Sequence, residues 1–273
     1  MKNKTPYVPN VHFEKIPIKS LVSDQKYQRS LSPFHIQRMV KNFDLRQVNP
    51  VKVSRRDGKN YVFNGQHTIE CIAAVSGSSE TPVWCMIYDD LKYTQEADIF
   101  ANQQKYVRSL SPYDVFIANV EAGNDDQLMI KGLVESCGLR ISSGKKQGSV
   151  CAIATLEHIY RHYGYQVLQR TLHLCLGAWE GEADSLSANM LRGVSRLVAA
   201  FGDSMKDDVF KEKVGKETVR AISRGAKERL AAGALSYAET MLDIYNKNMK
   251  TAPLHRSRLH AAKLAVLEKS EYQ

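Results

Sequence analysis

Strand-forming patterns occur only in the first ninety residues of this 273-residue chain, and that asymmetry limits its architecture more than any other feature. Residues 14–21 alternate apolar and polar side chains, as a half-buried strand does. Ser32-Pro33 then supplies an N-cap and a proline for a first helical turn. Ile36, Met39, Val40 and Phe43 follow at the spacing of one buried helix face. Residues 51–54 and 61–63 flank an Asp57-Gly58 pair, which is hairpin chemistry. A helix beginning near Gln66 carries Ile69, Ile72 and Ala73 inward and stops at Gly77. Residues 82–88 form an apolar run that suits a buried strand.

Beyond that run, strand signals nearly vanish. Helices are predicted over 94–104 and 111–121, the second opening on Ser111, Pro112 and Asp114. From Gln127 onward six or seven amphipathic helices are predicted, clearest over 185–201 and 234–249, broken by polar segments at 138–149, 163–164, 181–184, 202–203 and 251–253. The expected organisation is an α/β domain over 1–121 and an all-helical domain over 122–273, with the seam between Glu121 and Ser149.

Composition narrows the function classes. With 43% hydrophobic and 25% charged residues the chain has the make-up of a globular protein. No apolar run approaches the roughly 20 residues that cross a bilayer, and Met1-Lys2-Asn3-Lys4-Thr5-Pro6 leads into no secretory signal, so a cytoplasmic protein with no membrane partner is expected. Five scattered cysteines without a CxxC pair read as small buried hydrophobes. The net charge of +9 suits a polyanion partner. The excess is +5 over residues 1–120, zero over 121–200 and +4 over 201–273.

Two polar segments carry the chemistry. In Phe63-Asn64-Gly65-Gln66-His67-Thr68-Ile69-Glu70 a glycine sits between strand and helix. There the backbone can turn tightly, and the unpaired N–H groups and dipole of the helix start favour an anion. Gln66, His67 and Thr68 add side-chain donors. The second segment, Phe100-Ala101-Asn102-Gln103-Gln104-Lys105-Tyr106-Val107-Arg108, puts amides, a Lys and an Arg into one helix–helix junction, groups that suit phosphate oxygens. A third piece, Tyr27-Gln28-Arg29-Ser30, is an Arg-bearing turn before the first helix.

In this order the pieces resemble the ParB/sulfiredoxin superfamily, over roughly residues 12–120. Asn64-Gly65-Gln66-His67-Thr68 looks closest to the D-G-Q-H-R subgroup found in phage and mobile-element proteins, and Ala101-Asn102-Gln103-Gln104-Lys105 with Leu110-Ser111-Pro112 looks like the second motif. The resemblance implies an α+β fold, a small mixed sheet with helices followed by a helical domain. It implies a nucleoside triphosphate ligand, CTP or ATP, with Mg²⁺ as a companion, and action on or near DNA. It implies that Arg29, Gly65, Gln66, His67, Thr68, Asn102, Gln104, Lys105 and Arg108 bind the nucleotide, and it leaves room for a homodimer. Thr68 replaces the second Arg of the ParB-type box, Ala101 replaces a Glu, and Tyr106 and Val107 lengthen the gap to Leu-Ser-Pro. Those departures bear on cytidine selectivity and hydrolysis. Gln66 stands where sulfiredoxins carry a reactive Cys, which argues against that chemistry. The 163–203 region resembles helical segments attached to ParB-like domains, and brings no known activity.

Other signals are weaker. Glu70, one turn into the box helix, is the candidate catalytic carboxylate of a rival reading, a Mg²⁺-dependent nuclease or phosphotransferase. A third reading is a helical interaction module without a ligand. His158 and His162 stand at i, i+4 without a catalytic Glu, so no metal site is expected. Lys145 and Lys146 in a Gly-rich loop, and Arg256 and Arg258 in a basic stretch over 245–269, are candidate DNA contacts.

Overall fold

The computed structural model describes residues 11–24, 26–89, 91–103, 105, 107–229, 233–249 and 251–260. The chain folds as two compact units, Met1–Arg108 and Ser109–Gln273.

The first unit is built on a five-stranded mixed sheet in the order β1-β5-β3-β4-β2. β1 (Val11–Pro17) runs antiparallel to β5 (Pro82–Tyr88), which runs parallel to β3 (Val51–Arg56). β4 (Lys59–Asn64) returns antiparallel beside β3 through the Asp57-Gly58 turn, where both residues have positive φ (51° and 69°). β2 (Leu21–Ser23) closes the edge parallel to β4. The alternation over 14–21 is thus divided: β1 ends at Pro17, a 3-10 turn takes Ile18–Ser20, and β2 begins at Leu21. Pro17 has no N–H to continue a ladder.

Among the described residues three α-helices complete the unit: α1 (Pro33–Lys41), α2 (Gln66–Ser76) and α3 (Tyr93–Asn102). The Ser32 hydroxyl accepts the His35 N–H at 3.3 Å and caps α1, and Gly77 (φ 69°) ends α2. Val51, Val53, Val62, Cys85 and Ile87, at most 1% exposed, form the core with Ile69 and Ile72 of α2. Each such aliphatic contributes about 1.5–3 kcal/mol. α1 packs on α2, and α3 on β4.

The second unit holds α4 (Pro112–Glu121), α5 (Asp125–Ser136), α6 (Ile153–Trp179), α7 (Ala188–Phe201), α8 (Asp207–Lys213), α9 (Val219–Lys227) and α10 (Ala234–Asn246). α4 belongs here, because Phe116 (1% exposed) and Val120 sit in the core of this unit. The division therefore falls at Arg108/Ser109, thirteen residues before the expected end of the first domain. Its Ser111–Asp114 capping box locates the helix start but says nothing of what the helix packs against.

The unit is not purely helical. The Gly-rich segment carries a short parallel pair, β6 (Arg140–Ile141) with β7 (Ser149–Val150), and the Gly148 N–H donates to the Gly181 carbonyl at 3.1 Å. The break expected at Tyr163-Gly164 is a kink inside α6, where Gly164 has φ 83° and ψ 178°. Among the described residues no helix is long and apolar enough to cross a membrane.

Candidate functional site

Gly65 is the hinge between β4 and α2, with φ +108°. A Cβ there would lie 3.2–3.3 Å from Val51, so the backbone needs glycine both for its conformation and for its closeness to β3. Among the described residues no side chain caps the start of α2. The first N–H groups of a helix have no intrahelical carbonyl to meet, and they carry the positive end of its dipole.

This helix start opens onto a cleft of about 1070 Å³. Sheet register supplies its floor: Phe13 pairs with Met86, Met86 with Lys52, and Lys52 with Asn64, one row across four strands. α1 supplies His35, Arg38 and Met39 and its C-cap Asn42, α2 supplies Thr68 and Cys71, and the segment 43–50 forms the remaining wall. Arg38 and Lys52 make no ion pair among the described residues, so two cations face the space unneutralised. The lining carboxylate, Asp44, accepts the Arg46 N–H at 2.9 Å and its Nε–H at 3.3 Å. The burial of Cys71 pushes its thiol above the usual range, which makes it a poor nucleophile.

His67 and Gln66 have roles the sequence did not suggest. His67 is 8% exposed, and its Nε2 accepts the backbone N–H of Ser32 at 3.3 Å. Its ring meets His35 edge-on at 5.2 Å. Burial first, then the charges of Arg29 and His35, lower its pKa, so His67 is neutral and latches the N-cap of α1. Gln66 Nε2 donates to the Arg29 carbonyl at 2.7 Å, while its buried Oε1 has no partner among the described residues. Gln66 thereby ties the Arg29 turn to α2.

Arg29, Gly65, Gln66, His67 and Thr68 are thus brought together at the start of α2, and of these Gly65 and Thr68 line the cleft. The second polar segment is not brought into the lining. The Asn102 amide is spent on the Asp98 carboxylate and carbonyl, both at 3.0 Å. Lys105 and Arg108 are exposed and do not line the cleft, and Gln104 lies outside the described residues. Glu70 is exposed on α2 away from the lining. Sequence reasoning missed His35, Arg38 and Asn42, although their i, i+3, i+7 spacing marks one polar stripe along α1 and its C-cap. Lys52 and Asn64 had no local signal, because strand register alone puts them in one row.

A buried ionic cluster was also missed. Glu96 of α3 is fully buried, with Arg56 Nε 2.6 Å from Oε1 and the Tyr27 hydroxyl donating to Oε2 at 3.2 Å. The Arg56 guanidinium lies 3.7 Å over the Tyr61 ring. Burial, with Glu96 nearby, pushes the Tyr27 hydroxyl up to about 12. The cluster pins the Tyr27–Arg29 turn to the hairpin and to α3.

In the second unit, three of the four candidate DNA contacts are committed within the protein. Lys145 pairs with Asp184, Arg256 reaches both Asp243 oxygens at 2.9 Å, and Arg258 stacks 5.3 Å over Phe201. Lys146 is exposed. The His158 and His162 rings lie 4.2 Å apart, and no group of three metal-ligating side chains occurs among the described residues.

No curated protein matches the chain. Among solved structures it is similar to the C-terminally truncated chromosome-partitioning protein ParB from Caulobacter crescentus complexed with CTP-gamma-S. The two are 12% identical with a TM-score of 0.38, over 68% of this chain and 99% of that one, a likeness too loose to assign a ligand. Residues 22–255 match the profile of the Family of unknown function (DUF6551), and the chain belongs to that family.

Proposed function

We propose that the first unit is a ParB-like module that binds the phosphates of CTP or ATP at the start of α2, in a protein that acts on or near DNA. One observation carries the reading: a glycine-turned helix start with no side-chain cap opens onto a cleft lined by Arg38 and Lys52, which form no ion pair among the described residues. The N–H groups of Gln66, His67 and Thr68 would hold phosphate oxygens, Arg38 and Lys52 would neutralise them, and the Phe13–Met86 end of the floor suits a base. Mg²⁺ would travel with the phosphates. The rival phosphotransferase reading relies on Glu70, which is not one of the lining residues; the carboxylate that does line the cleft, Asp44, is engaged by Arg46.

Thermal melts with CTP, ATP, GTP and ADP, with and without Mg²⁺, test the proposal. A nucleotide at 100 times its dissociation constant stabilises by about 2.7 kcal/mol. A shift with CTP or ATP that disappears in Arg38→Ala/Lys52→Ala is the expected outcome. No shift with any nucleotide would overturn it and favour a ligand-free interaction module.

A further inference from the structure

α8 and α9 form a short helix–turn–helix in the second unit, joined through residues 214–218. The turn admits only glycine at Gly215, where a Cβ would lie 2.3 Å from the Lys211 carbonyl oxygen and 3.1 Å from Ala178 Cα. The Thr218 hydroxyl accepts the Ala221 N–H at 3.2 Å and starts α9. Val219, Ile222 and Ala226, at most 2% exposed, anchor one side of α9 in the core and so settle which side faces outward.

That outward side carries Arg220, Arg224 and Lys227, all exposed, at i, i+4 and i+7. Among the described residues none of the three forms an ion pair or a side-chain hydrogen bond. Other cations of the unit are neutralised: Arg170 pairs with Asp207, and Arg229 and Arg256 pair with Asp243. A shallow groove of about 490 Å³ flanks the stripe, lined also by Ser187, Ser223, Asp184 and Glu228. Asp184 is already paired with Lys145, so Glu228 is the acidic group left beside three cations.

We propose that the outward face of α9 is a docking surface for duplex DNA. The inference rests on DNA as a partner, not on the nucleotide reading. Charge complementarity points to a polyanion, because three unpaired cations can each displace a condensed counterion from a phosphate. Shape favours DNA over duplex RNA. The stripe spans about 10 Å of helix, and an α-helix of ~10–12 Å diameter fits the ~12 Å major groove of B-DNA. The deep, narrow major groove of A-form RNA excludes such a helix.

Fluorescence anisotropy of the full chain with labelled 24-base-pair DNA, from 50 to 300 mM salt, tests it. Arg220→Gln/Arg224→Gln/Lys227→Gln is compared with a charge-matched control, Lys131→Gln/Arg140→Gln/Arg161→Gln, after both show wild-type circular dichroism melts. The α9 triple should bind at least tenfold more weakly at 100 mM salt, with the log–log salt slope reduced by up to about 2.7, or ~0.9 per lost phosphate contact. The control should lose much less. If wild type binds DNA and the α9 triple binds equally well, or falls only as far as the control, this inference fails while DNA as a partner stands. If wild type binds no duplex DNA, both fail. Tighter binding to a 24-base-pair RNA duplex than to DNA also overturns the inference.

Discussion

Replacing Gly65 with alanine should damage both the first unit and its ligand site, by an amount the geometry bounds. At φ +108° an L-residue pays roughly 1–2 kcal/mol of backbone strain. The new Cβ would also press on Val51 at 3.2–3.3 Å, and Val51 is 1% exposed, so its neighbours can yield little. Overpacking of that kind costs about 1–3 kcal/mol, which brings the expected loss to about 2–5 kcal/mol. Gly77→Ala is the internal comparison. Gly77 has φ +69° with nothing within 4 Å of its virtual Cβ, so it suffers strain alone, about 1–2 kcal/mol. Native-state hydrogen exchange at the β3 and β4 amides reads the first unit without interference from the second. A Gly65→Ala loss no larger than that of Gly77→Ala would refute the claim that β3 crowds this turn.

Three further outcomes follow from the packing. Because the folded pKa of His67 lies below its ordinary 6.5, the unfolded chain binds the proton more readily. Stability of the first unit should be constant above neutrality, fall as pH drops through 6.5, and level off below the folded pKa; in His67→Gln, urea titrations from pH 8 to pH 5 should show that slope flattened. Arg56→Met strands the buried Glu96 carboxylate and should cost about 3–5 kcal/mol, whereas Arg56→Met/Glu96→Leu should recover much of it in a double-mutant cycle. Gly215→Ala forces a Cβ to 2.3 Å from a carbonyl oxygen and should lower the stability of the second unit by about 1–3 kcal/mol, read by hydrogen exchange at α8 and α9 amides.

Local chemistry along the chain was enough to read the division into a strand-containing part and a helical part, the Asp57-Gly58 hairpin, the strand over 82–88, and the glycine before α2. Each depends on the periodicity of a few neighbouring side chains or on a residue suited to one backbone conformation. The same locality explains what stayed hidden. α4 has a legible capping box, but its place in the second unit depends on Phe116 and Val120 meeting partners distant in sequence. The cleft floor exists because four strands align Phe13, Met86, Lys52 and Asn64, and a shift of one residue would turn these side chains to the other face. Tertiary structure also decided which charges are available. Arg256 looks as exposed in sequence as Arg224, yet Asp243 neutralises the first and nothing among the described residues neutralises the second. Sequence determined where backbone groups and polar side chains suited to phosphate occur; only long-range packing decided which of them share a site, because pairing, register and burial are set by residues far apart along the chain.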